Sequence, residues 1–145
     1  MKVILLENVK SLGKEAFFRT NITAIVLNSA LEKIDKSAFR QVATLTGDLV
    51  IPKNVKEIGD SAFVGTGLTT VTFENGIENI NVGIGAFASN TKAEKIALPL
   101  ADVTYGKNGD HAYIFSQYNK DVNDSDKIVE PQLKTIIIGT TADNV

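Results

Sequence analysis

At 145 residues, with 43% hydrophobic and 22% charged residues, the chain has the make-up of a folded domain with a sizeable core rather than a disordered segment. There is no Cys, which excludes a disulfide framework, a thiolate nucleophile and a Cys-based zinc site. The net charge of −2, with thirteen Lys and two Arg, supplies neither the basic excess nor the bidentate arginines that nucleic-acid readout uses.

The charge is unevenly placed. Residues 1–67 carry nine Lys/Arg against seven Asp/Glu, and residues 68–145 carry six against ten, so neither half presents a basic surface. No apolar run approaches the roughly 18 residues of a membrane-spanning helix. The apolar run Val3 to Leu6 is too short for the core of a secretory signal peptide.

Taken in chain order, the elements repeat. The first unit is an alternating apolar stretch, Val3 and Leu5, then a polar turn, then Val9 and Leu12, then Ala16-Phe17. The second runs Ile25, Leu27, Leu31, Ile34 and Ala38-Phe39; the third Leu49, Ile51, Val55, Ile58 and Ala62-Phe63. The fourth runs Val71, Phe73, Ile77, Ile80 and Ala86-Phe87, with two extra residues placed before its Ala-Phe. Two more starts follow, at Ile96 and Ile136, the last filling its slots with Ile136, Ile138, Ala142 and Val145. The alternating pair predicts a short strand whose first and third residues face inward. Pro52 and Pro99 sit just past a strand, where a missing N–H ends the ladder harmlessly. Gly13, Asp35 or Gly59 then lets the chain turn into a brief helical segment carrying Ala-Phe. No unit can bury its apolar edge alone, so neighbours must stack into a solenoid with a parallel sheet along one side.

Leu49-Val50-Ile51-Pro52 through Val55, Ile58-Gly59 and Ala62-Phe63, with Leu68 to Val71 opening the next unit, closely resembles the BspA-like, type 5 branch of the leucine-rich-repeat superfamily. The resemblance covers residues 3–98 and 133–145. It implies a right-handed, β-rich solenoid of short parallel strands and short helical or 3-10 segments. The whole chain then reads as one domain, 1–145, with repeats at about 1–21, 22–44, 45–67, 68–92, 93–132 with an insertion, and 133–145 in part. The usual Cys slot of that pattern holds Thr20, Val42, Thr66 and Asn90, which changes a contact inside the coil and not the fold. The opening MKVILLENVKSLGKE also resembles the start of the ninth protein of the bacterial large ribosomal subunit. That likeness ends at residue 15, where the repeat continues in place of a basic, Gly-rich loop.

Partners of a solenoid usually bind the residues between inward-facing strand positions. Here that column is Ile4, Val26, Val50, Thr72, Ala97 and Ile137, flanked by residues that include Leu6, Ala24, Asn28, Asp48, Thr70, Glu74, Lys95 and Thr135. Two readings stand side by side: β-branched residues suit any strand, and they also make a semi-apolar strip for a protein partner. Residues 101–132 break the period and hold all three tyrosines, Tyr105, Tyr113 and Tyr118, and the one histidine, His111. Ala112-Tyr113 is readable as a degenerate Ala-Phe. As an insertion the segment is either a tolerated surface loop or part of the binding face, and Tyr favours recognition because it offers large contact area with few torsions to freeze. The candidate partner-binding residues are therefore Val26, Val50, Thr72, Glu74, Tyr105, His111, Tyr113 and Tyr118.

Chemistry is poorly served. Asp121, Asn123, Asp124, Asp126 and Glu130 form an acidic loop, but the turn Gly of a calcium loop is missing and its twelfth position is Gln132. His111 and Ser116 lie near each other without a nucleophile-elbow motif, and no phosphate-cradling Gly pattern is present. The expectation is a non-enzymatic interaction module with no cofactor, no metal, no nucleic-acid partner and no membrane insertion. The resemblance implies a bacterial cell-surface or secreted protein, or a protist surface protein, that binds host or matrix proteins by adhesion. A second expectation comes from the ends. Val3, Leu5, Val9, Leu12 and Phe17 have no preceding coil in this sequence, and Val145 stops in the fourth apolar slot. Either the array is longer, or its ends stack on other copies, making the chain a self-assembling structural element.

Overall fold

The computed structural model describes residues 1–77, 79–90 and 92–98, with strand backbones at 104–105 and 135–138. The strands are β1 (Lys2–Ile4), β2 (Ser11–Leu12), β3 (Ala24–Val26), β4 (Lys33–Ile34), β5 (Thr46–Ile51), β6 (Glu57–Ile58), β7 (Gly67–Phe73), β8 (Asn81–Val82), β9 (Lys95–Leu98), β10 (Thr104–Tyr105) and β11 (Thr135–Ile138). Every pairing among them is parallel, as coils stacked one on the next require. The odd-numbered strands line one side, as a pair β1-β3 and a sheet β5-β7-β9-β11, and the even-numbered strands up to β10 form a second ladder in the order β2-β4-β6-β8-β10. The strands cover the apolar alternation, although β5 and β7 begin three and four residues ahead of Leu49 and Val71, and Ile136 pairs with Ile96 as the last start requires.

The core is the column of slots. Ile25, Leu49 and Val71 point inward at the first strand position, and Leu31, Ile34, Val55, Ile58 and Val82 continue it, all buried. Ala38, Ala62 and Ala86 are fully buried and let the backbones close up. Beside them Phe17, Phe39, Phe63 and Phe87 stack in one pile, with ring centroids 5.2, 5.0 and 5.3 Å apart and planes within 8° of parallel. Each ring is thus the floor of the coil above.

Two expectations are corrected. The first is the helical segment: among the described residues there is no helix, and the Ala-Phe stretches are successive turns. The reason lies in the hydrogen bonds. In the first coil Glu15, Phe17 and Arg19 donate their N–H groups to Lys36, Ala38 and Arg40 of the next coil, while Ala16, Phe18 and Thr20 close turns back onto Gly13, Glu15 and Phe17. The later coils repeat that alternation; Phe39 donates to Ala62 and Phe63 to Ala86, each at 2.7 Å. Such a ribbon needs left-handed residues every fourth position, which an α-helix cannot hold. They are Glu15, Ser37, Ser61 and Gly85 on one side of the Phe, and Arg19, Gln41, Gly65 and Ser89 on the other, with φ between 55° and 67°.

The second correction concerns the fourth coil. Val82, not Ile80, pairs with Ile58 and so occupies the slot of Leu12 and Ile34. The two extra residues therefore lie between Ile77 and Val82, where Asn79 takes a positive φ of 52°. Ile80 is nevertheless fully buried, tucked inside the enlarged bend. The glycine slot also has a sharper reason than turning. Gly59 and Gly83 do not adopt left-handed φ; a Cβ on either would lie 2.4 Å from a backbone nitrogen of the preceding coil, Lys36 or Asp60.

Candidate interaction face

Because successive strand residues point to opposite sides, burying Ile25, Leu49 and Val71 turns Val26, Val50 and Thr72 outward. The strand register pairs Ile4 with Val26 in the β1-β3 sheet and Val50 with Thr72 in the other, where the backbone positions of Ala97 and Ile137 also pair. Val26 is 45% and Val50 50% exposed, against 8% and 2% for their inward neighbours Ile25 and Leu49. Ile4 is exposed as well, and Thr72 is half-buried. Asp48 and Thr70 are paired in a second column, which the backbone register carries on to positions 95 and 135. Asp48 accepts a long hydrogen bond from the Thr69 hydroxyl at 3.4 Å.

The rim past the strands is less uniform. Asn28 turns inward instead of lying on the flank: it is 9% exposed, and its Nδ2 donates to the carbonyls of Leu6 and of Val9, the latter at 3.0 Å. Pro52 is buried in the same position of the third coil. Glu74 is exposed there in the fourth coil, and its Oε2 accepts the Lys53 N–H at 3.0 Å, so the carboxylate is held at the edge of the sheet.

Side-chain ion pairs run along the other ladder. Lys33 reaches Glu57 at 3.2 Å and Asp35 at 3.4 Å, and Lys10 reaches Glu32 at 3.2 Å. The bond to Glu57 raises the Lys33 pKa above its ordinary value, and the Lys36 N–H on Asp35 Oδ1 lowers that carboxyl's. These groups are largely solvent-facing, so their pairs add little to stability.

Of the remaining candidates, Tyr105 belongs to the repeat. The backbone pairs it with Val82, at the register position that Leu12, Ile34, Ile58 and Val82 use for the core. The signal was in the spacing, since Ile96 to Tyr105 is the same nine residues as Leu49 to Ile58; Asp102 in the third slot hid it. His111, Tyr113, Tyr118 and the acidic loop lie outside the described residues. Sequence reasoning missed the polar contact in the Cys slot. Asn90 Oδ1 accepts both the Thr66 N–H, at 3.0 Å, and the Thr66 hydroxyl, at 2.6 Å, while Asn90 Nδ2 donates to the Phe87 carbonyl at 2.8 Å. Both side chains are buried. Among the described residues no three His, Cys, Asp or Glu come together to hold a metal ion, and no helix is long and apolar enough to cross a membrane.

The family model described as the BspA type leucine rich repeat region (6 copies) matches residues 1–94. The chain belongs to the BspA-type leucine-rich-repeat family. No curated protein and no solved structure matches it. BspA-type repeats suggest a protein-interaction module, the family is generally non-enzymatic, and its members are typically surface-borne or secreted. The described BspA-type coils have turns where short helical segments are expected, Thr, Val or Asn in the Cys slot, and two extra residues in the fourth coil.

Proposed function

We propose that this chain is a non-catalytic, adhesion-type protein-binding module of a cell-surface or secreted protein, and that it binds host or matrix proteins through the outward column of Val26, Val50 and Thr72, with Glu74 at the rim. The observation that carries the reading is the exposure of Val26 and Val50, the outward strand residues of consecutive coils. Apolar side chains aligned on a rigid sheet offer a partner contact area at little entropic cost. Tyr113, Tyr118 and His111 extend the proposed surface, and the array is taken to continue as one domain to residue 145.

An apolar contact responds weakly to salt, whereas a charge-steered one does not. Binding of the purified chain to immobilised matrix proteins, followed by surface plasmon resonance, should be saturable and should weaken by less than about threefold when ionic strength rises from about 0.1 M to about 1 M. A loss of tenfold or more over that range, on the order of 1.4 kcal/mol, would move the binding site to the charged surfaces instead.

A further inference from the structure

The turn that follows each outer strand is built the same way in the first three coils. Val9 N–H bonds to Leu6 O at 3.1 Å, Leu31 to Asn28 at 3.3 Å and Val55 to Pro52 at 3.1 Å. In the fourth coil the corresponding residues are Glu74-Asn75-Gly76-Ile77, and no bond from Ile77 N–H to Glu74 O closes the turn. Asn75 and Gly76 are both exposed, Gly76 has a φ of 83°, and apart from its chain neighbours nothing lies within 4 Å of where a Cβ on it would sit. Gly76 therefore brings no side chain of its own to crowd the backbone nitrogen next to Asn75. The other described asparagines differ. Asn8, Asn21, Asn54, Asn79, Asn81 and Asn90 all precede a β-branched residue, which crowds the following nitrogen, and Asn28 is buried.

We infer that Asn75-Gly76 is a site of spontaneous covalent modification, in which the side-chain amide is converted to a carboxylate. The Gly76 nitrogen, having given its proton to solvent base, forms a bond to Asn75 Cγ. The Cγ–Nδ2 bond breaks and ammonia leaves, giving a five-membered cyclic imide. Water then opens the ring: cleavage of the N–Cγ bond gives aspartate, and cleavage of the bond to the main-chain carbonyl carbon gives isoaspartate, with the backbone running through Cγ. Either product is ionised near neutral pH and stands beside Glu74. The rim of the sheet becomes more acidic as the protein ages, whether or not that face binds a partner.

The test is to hold the intact purified chain in mildly alkaline buffer for days and to follow each asparagine by peptide mass mapping with site-localising fragmentation, each conversion adding about 1 Da. Asn75 should convert at least about tenfold faster than Asn54, Asn79 or Asn81, giving a mixture of aspartyl and isoaspartyl peptides. A Gly76→Asn variant, which tolerates the left-handed backbone but adds a side chain, should slow conversion at residue 75 by about tenfold. Fragmentation separates this site from the chain's second Asn-Gly pair, Asn108-Gly109. Conversion at Asn75 no faster than at Asn54, or at the native rate in Gly76→Asn, overturns the inference.

Discussion

Replacing Phe63 by Ala is expected to cost about 3–5 kcal/mol, enough to consume much of the stability of a domain this size. The side chain is fully buried, and its ring is sandwiched between Phe39 at 5.0 Å and Phe87 at 5.3 Å. Truncation removes the transfer energy of the ring and leaves a cavity in the middle of the pile that flanking coils cannot fill without breaking the inter-coil bonds at Phe39 and Phe63. Because each coil touches only its neighbours, the damage should also uncouple the coils on either side. Urea unfolding followed by circular dichroism should show a lower midpoint and a shallower transition. The half-buried Phe17 provides the internal comparison: Phe17→Ala should cost about half as much. Equal costs at the two positions would mean that the stack does not carry the core.

Asn90→Ala should cost about 2–4 kcal/mol, an unusually large loss for a polar residue. The amide oxygen satisfies the Thr66 N–H and hydroxyl and the amide nitrogen meets the Phe87 carbonyl, all out of water. Removing it leaves the buried Thr66 N–H with only its long bond to the Phe63 carbonyl at 3.4 Å, and takes the Asn90 partner from the Thr66 hydroxyl and the Phe87 carbonyl, a loss that costs more than the bonds themselves. The double variant Asn90→Ala/Thr66→Val is the control. It removes the orphaned hydroxyl and replaces it with an apolar isostere, and Val42 already fills the same slot in the second coil, fully buried. The pair should recover about 1 kcal/mol of the loss in a double-mutant cycle monitored by thermal unfolding. Additive single effects would show that the Thr66–Asn90 contact is incidental.

These residues mark where the sequence was legible and where it was not. The strand register could be read because a parallel solenoid repeats its apolar slots at one spacing, and burial follows those slots from Ile25 to Val71. The outward column followed from alternation alone. The turns could not be read in the same way. Six of the eight left-handed positions flanking the Ala-Phe pairs are filled by Glu15, Arg19, Ser37, Gln41, Ser61 and Ser89, so the glycine that usually announces such backbone is absent. Their conformation is imposed by bonds to the next coil, which is a tertiary effect. The misplacement of the fourth slot has a similar origin. Ile80 and Val82 are both apolar and both buried, and only the strand pairing shows which one keeps the register. Thr66 and Asn90 read as departures from a Cys slot, and nothing in either residue alone announces that they bond to each other.

The interaction face rests on two valines, and they can be altered without harming the fold. Val26→Thr/Val50→Thr keeps β-branching and volume, so its melting temperature should stay close to that of the native chain. Its apolar contact area is reduced where a partner would sit. Saturation binding of this variant and of the native chain to the same immobilised matrix protein is the measurement that bears most directly on the proposed role. Affinity about tenfold weaker in the variant, at unchanged melting temperature, is the predicted result. Indistinguishable affinities in two equally stable proteins would contradict it and take the function off this face.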